Sequence, residues 1–102
     1  MEYNGRVHIM VDRTIMSEQI QFFNQYLIQE EKSTATVEKY ILDIRAFCMF
    51  LGLNQVSKEL VIAYKKYLLS RGYAVCSINS MLASLNCLLG FLGWSDCKVK
   101  AI

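Results

Sequence analysis

Ser33-Thr-Ala-Thr-Val-Glu-Lys-Tyr-Ile-Leu-Asp-Ile-Arg-Ala-Phe-Cys-Met-Phe-Leu51 is the stretch that decides the fold. Its apolar residues Val37, Tyr40, Ile41, Ile44, Phe47, Cys48 and Leu51 recur three or four apart, the period of one face of an α-helix. Ser33 or Thr34 can cap the free first-turn N–H groups, and Gly52 can take the left-handed conformation that stops the helix. Thr36, Lys39 and Asp43 fall on one solvent flank of this rod, Glu38 and Arg45 on the other.

Three more helices read outward from it. The first is expected to start at Ser17 as N-cap and to bury Ile20, Phe23, Tyr26 and Leu27; Phe22 and Ile28 lie off that stripe, more apolar surface than one contact needs. The third runs from the Ser57 cap to about Arg71, with Leu60, Val61, Tyr64 and Leu68 inward and Lys58, Lys65 and Lys66 forming a solvated face. The fourth starts near Cys76 and Ser77 and ends about Leu92. It carries the longest apolar stripe, Ile78, Met81, Leu82, Leu85, Leu88, Leu89 and Leu92, and is the expected core helix. Its other side, Ser77, Asn79, Ser80, Ala83, Ser84, Asn86, Cys87 and Gly90, has no charge and admits close approach by a neighbouring helix or a nucleic-acid groove. With no proline and with Gly52, Gly72 and Gly93 closing short loops, the pattern is an all-α four-helix domain over residues 17–94. Residues 1–16, with Val7, Ile9 and Val11 alternating and Asn4-Gly5 marking a turn, read as a flexible arm; residues 95–102 read as the start of a linker.

Composition narrows the function classes. A chain of 102 residues that is 54% hydrophobic holds one domain with a real core. No apolar run approaches the roughly 20 residues that cross a bilayer, and no signal peptide pattern opens the chain, so the expected location is the cytoplasm, with no membrane partner. The net charge of +2 is unevenly spread: residues 1–32 carry three basic and five acidic side chains, residues 33–102 eight basic and four acidic. The basic excess sits on the helices and the tail, a weak pointer to a polyanion.

Little catalytic chemistry is present. Cys48, Cys76, Cys87 and Cys97 are far apart, form no Cys-x-x-Cys pair and have only His8 as an imidazole companion, which argues against zinc; a cytosolic chain keeps them reduced. There is no phosphate-binding glycine loop, no His-Glu-x-x-His and no nucleophile with a base beside it, Cys76 included. The chain is therefore expected to be no enzyme and to need no metal or cofactor.

Two stretches in order resemble the N-terminal core-binding, SAM-like domain of tyrosine recombinases, the phage integrase family. They are Ser33-x-x-Thr36-x-x-x-Tyr40-x-x-Asp43-x-x-x-Phe47-x-x-Phe50-Leu51 and Ser77-Ile78-Asn79-Ser80-x-Leu82-Ala83-Ser84-Leu85-Asn86, the latter followed by Phe91-Leu92-Gly93. The similarity covers roughly residues 17–102, and the ending Gly93-Trp94-Ser95-Asp96-Cys97-Lys98-Val99-Lys100 looks like integrases of mobile elements in Gram-positive bacteria. The resemblance implies an orthogonal four-helix bundle that forms half of a clamp on double-stranded DNA in the bacterial cytoplasm or nucleoid. It also implies a catalytic domain after the linker and contact with sister protomers through the first helix. Carried over by position, the DNA-binding candidates are Thr34, Thr36, Lys39 and Arg45 on the second helix and Ser77, Asn79 and Ser80 on the fourth, with Lys98 and Lys100 tracking the backbone beyond them. Ser80 stands where the family often has a basic residue, which weakens phosphate anchoring there. The alternative is a helical protein-interaction module that uses the neutral face of the fourth helix with Phe22 and Ile28.

Overall fold

The computed structural model describes residues 12–102. The expected arm up to residue 11, with His8, lies outside the described residues. Four α-helices follow in order: α1 Ser17–Gln29, α2 Thr34–Leu51, α3 Lys58–Ser70 and α4 Val75–Phe91, then one turn of 3₁₀ helix at Ser95–Cys97. No strand occurs among the described residues, and the fold is all-α.

Local chemistry sets the helix ends. The Ser33 hydroxyl accepts the Thr36 N–H (3.2 Å) and the Ser57 hydroxyl accepts the Leu60 N–H (3.2 Å), so α2 and α3 start where side-chain capping places them. Two starts differ from expectation. Met16, not Ser17, is the N-cap of α1, because the Gln19 side chain reaches back to accept the Met16 N–H at 2.6 Å. Ala74 precedes α4 with no side-chain cap, so Ser77 is a first-turn residue whose hydroxyl caps nothing.

The ends of α1 and α4 use the same hydrogen bonds with different residues. After α4, Gly93 (φ 79°) donates to Gly90 O and Trp94 donates to Leu89 O; after α1, Glu31 (φ 61°) donates to Ile28 O and Lys32 donates to Leu27 O. This is a left-handed helix stop, natural for glycine at residue 93 and strained for glutamate at residue 31.

The core has two joined clusters, and α4 belongs to both. Phe23 and Leu27 of α1 pack with Val37 and Ile44 of α2 and Leu88 of α4. Phe47 and Leu51 of α2 pack with Val56, with Val61, Tyr64 and Leu68 of α3, with Ile78, Leu82, Leu85 and Leu89 of α4, and with Trp94, Cys97 and Val99. The most extensive helix pair is α2 with α4. Burial pushes the Tyr64 phenol up to about 12, with the nearby Asp43 carboxylate adding to the rise. Tyr26, expected inside, is partly exposed; its ring lies on Phe91 at 4.9 Å between centroids.

Residues 12–16 and 95–102 are packed on the helices. Arg13 ties three parts of the chain together: its backbone N–H donates to Gln55 Oε1 (3.3 Å), its carbonyl accepts the Val56 N–H (2.9 Å), and its guanidinium pairs with Asp96 (2.8 Å) beside Cys97 Sγ and Trp94. The hydrogen bond from Arg13 holds the Asp96 carboxyl below its ordinary range.

Two measurements check this account. Glu31→Gly removes the strained left-handed side chain and is expected to stabilise the domain by roughly 0.5–1 kcal/mol in urea unfolding. For Asp96, the lowered pKa means that its contribution is present above the unfolded carboxyl pKa and is lost as pH falls through the folded value. Trp94, the only tryptophan, should report a fluorescence change as acid releases Arg13, and Asp96→Asn should show it already at neutral pH.

Candidate nucleic-acid interface

On α2, the expected solvent flank proves to be part of a seam. Asp43 was expected to face solvent; it is buried, at 9% exposure, because α4 closes over it. Ser84, expected on an open neutral face, is fully buried and donates its hydroxyl to Asp43 Oδ2 at 2.7 Å. The Lys39 ammonium, one turn before Asp43, caps the same carboxylate oxygen from the solvent side. The Ser80 carbonyl lies 3.3 Å from the Ser84 hydroxyl, so Lys39, Asp43, Ser84 and Ser80 form one continuous polar line across the α2 and α4 junction. A paired carboxylate is affordable here, where a bare one would not be.

The remaining candidates divide among other surfaces. Thr34 is exposed at the first position of α2, and Ser33, not Thr34, caps that helix. Thr36 is half-buried and accepts the Ser33 hydroxyl at 2.9 Å, inside the cap. Residues Phe47 and Leu51 at the end of α2 pack with Ile78 and Leu82 near the start of α4, whereas Val37 near the start of α2 packs with Leu88. The two helices therefore run in opposite senses, and Thr34 and Ser77 lie at opposite ends of the seam. Arg45 faces another way: with Glu38, Ile41 and Leu42 it lines a groove of about 480 Å³ against Ser17, Ile20, Gln21 and Asn24 of α1.

Asn79 is already occupied. Its carboxamide accepts the Ile102 N–H (2.7 Å) and donates to the Ile102 carbonyl (3.4 Å), while Asn86, two turns on, accepts the Val99 N–H (3.1 Å) and donates to the Val99 carbonyl (2.8 Å). From α3, Lys58 donates to the Lys98 carbonyl (2.6 Å) and Lys65 to the Lys100 carbonyl (2.7 Å). Residues 98–102 thus lie between α3 and α4. The Lys98 side chain folds over Gly90, where an added Cβ would meet its Nζ at 3.0 Å.

Sequence reasoning passed over Asn86, Lys58, Lys65 and Arg13 as contact residues. A signal was present: Asn79 and Asn86, like Lys58 and Lys65, are seven apart and so share a helix face, a spacing that hydrophobic periodicity ignores.

The family model for the phage integrase N-terminal SAM-like domain matches residues 20–96. The chain belongs to that family. Comparison with curated proteins and with solved structures gave no match. In this SAM-like domain Cys48, Cys76, Cys87 and Cys97 are free thiols, and burial pushes Cys48 and Cys87 upward in pKa, away from the reactive thiolate. Among the described residues no group of three or more His, Cys, Asp or Glu side chains is placed to hold a metal, and no helix is long and apolar enough to cross a membrane.

Ser84→Ala leaves the buried Asp43 carboxylate short of a donor and is expected to cost about 1.5–3 kcal/mol. Chemical denaturation measures it; a loss no larger than that of Ala83→Gly on the exposed side of α4 would show the contact to be idle.

Proposed function

We propose that this SAM-like domain binds duplex DNA as the non-catalytic half of a tyrosine recombinase clamp in the bacterial cytoplasm. The observation that carries the reading is the family match over residues 20–96. The charge distribution supports it, since eight basic and four acidic side chains follow residue 32.

In this reading Thr34, Thr36 and Lys39 of α2 and Ser77 and Ser80 of α4 meet DNA along the length of the seam, Thr34 and Ser77 at its two ends, with Arg45 reaching from the next face. Lys39 exchanges part of its contact with Asp43 for a phosphate, at small cost because the ammonium is half exposed. Its two remaining N–H donors stay available in any case. Residues 95–102 lead toward a catalytic domain that would supply the second half of the clamp and the strand-cutting chemistry. Affinity would then be shared between linked domains, so this half alone binds weakly.

A second reading has its own observation. Phe22 and Ile28 of α1 are 61% and 57% exposed, apolar side chains that suit another protein chain. Within a recombinase assembly that chain is a sister protomer; outside one, the domain is a protein-interaction module.

Residue-resolved NMR titration with a short generic duplex, at low and near-physiological salt, separates the two. Shifts at Thr36, Lys39, Ser77, Ser80 and Lys98 that fade as salt rises are the expected result. No shift at low salt, or shifts on α1 that dilution alone reproduces, would overturn DNA binding in favour of the interaction module.

A further inference from the structure

The extended segment 98–102 fits its track by length. Asn79 and Asn86 are seven helical residues apart, about 10.5 Å at 1.5 Å per residue, and Val99 and Ile102 are three extended residues apart, about 10 Å. Each carboxamide therefore meets one residue's N–H and C=O together, as a neighbouring strand would. These contacts are to backbone and do not use the lysine side chains; the Val99 side chain adds its own hold in the core.

Charge accumulates on that segment. Lys58 and Lys65 sit on the carbonyls of Lys98 and Lys100, which brings two α3 ammonium groups onto a segment that carries two lysines of its own, with the Lys98 ammonium over Gly90 of α4. Among the described residues the ion pairs are Arg13 with Asp96 and Lys39 with Asp43, so no carboxylate neutralises any of the four; Glu59, next to Lys58, is exposed and pairs with none of them. Each α3 ammonium spends one donor on a carbonyl and keeps two. Cations gathered on one short segment repel one another, and a polyanion relieves that repulsion.

We propose that the docked segment completes a phosphate-binding ridge for the DNA backbone, made of Lys58 and Lys65 of α3 with Lys98 and Lys100, and that Asn79 and Asn86 are its positioning residues. The proposal rests on the DNA reading above and changes the part of Asn79 in it: the carboxamide holds the chain that carries the lysines and does not read a base. Lys58 and Lys65 span about 10 Å along α3, the axial rise of about three phosphates on one strand.

Salt-dependent DNA binding of purified domain variants tests it. Lys58→Gln with Lys65→Gln should flatten the plot of log affinity against log salt by about two. Lys66→Gln, which removes the same charge from α3 without touching the segment, should leave the slope unchanged. Asn86→Ala keeps every charge, so it should raise the mobility of Val99 and Ile102 in heteronuclear relaxation and weaken binding about threefold or more as the docked fraction falls. Ile102→Pro removes only the N–H given to Asn79, far from the core, and should act in the same direction should Asn86→Ala prove poorly folded.

The outcomes separate the two claims. Binding with an unchanged slope in the double lysine variant, a Lys66→Gln loss equal to that of Lys65→Gln, or a loosened segment with unchanged affinity would each overturn the ridge while DNA binding stands. No salt-dependent binding by the unaltered domain would overturn the DNA reading and the ridge with it.

Discussion

The Ser84 hydroxyl on the Asp43 carboxylate is the constraint from which the rest of the domain takes its register. These are the two buried polar side chains among the described residues, and each is the other's partner. Apolar stripes such as Ile44, Phe47 and Leu51 against Leu82, Leu85 and Leu88 tolerate sliding, because one methyl surface resembles the next. A carboxylate in the same seam does not, since a slide that brings Leu88 opposite it would leave only Lys39 as its donor. The pairing fixes α4 against α2, and α4 then carries both halves of the core: Leu88 toward α1, Ile78 and Leu82 toward α3.

How much of this the sequence carried follows from what kind of interaction made each part. The four helices were legible because burial writes itself at a period of 3.6, and α4 as the core helix was legible because its stripe is the longest. The caps at Ser33 and Ser57 were legible as side-chain chemistry. Asp43 was misassigned because a charged residue on a helix flank is ordinarily solvated, and only the approach of Ser84, 41 positions away, overrides that rule. Residues 95–102 read as the start of a linker because Val99 alone is too short an apolar signal; the structure packs Val99 in the core and adds carboxamides that grip backbone, a contact independent of which residues are gripped. Glu31 at a left-handed helix stop was invisible for a related reason, since the usual marker there is glycine.

The sequence offered candidate site residues without their arrangement. Thr34, Lys39, Arg45, Ser77 and Asn79 were picked from two helices, and antiparallel packing spreads them over the seam, the α1 groove and the tail track. What unites the surface is charge more than residue type: Lys39 at the seam and Lys58, Lys65, Lys98 and Lys100 at the tail present ammonium groups around a fold whose buried contacts are almost wholly apolar. A recombinase-family domain built this way separates its labour, with hydrocarbon setting the shape and lysine meeting the outside.

Arg13 and Asp96 stand 83 positions apart in the chain and 2.8 Å apart in space. The ion pair therefore closes the four helices into a loop, while residues 98–102 run on past it along α4 to Asn79. Tension on the chain at Ile102 would load the Asn79 and Asn86 carboxamides in turn before it reached that ion pair and the Trp94 face beneath Arg13.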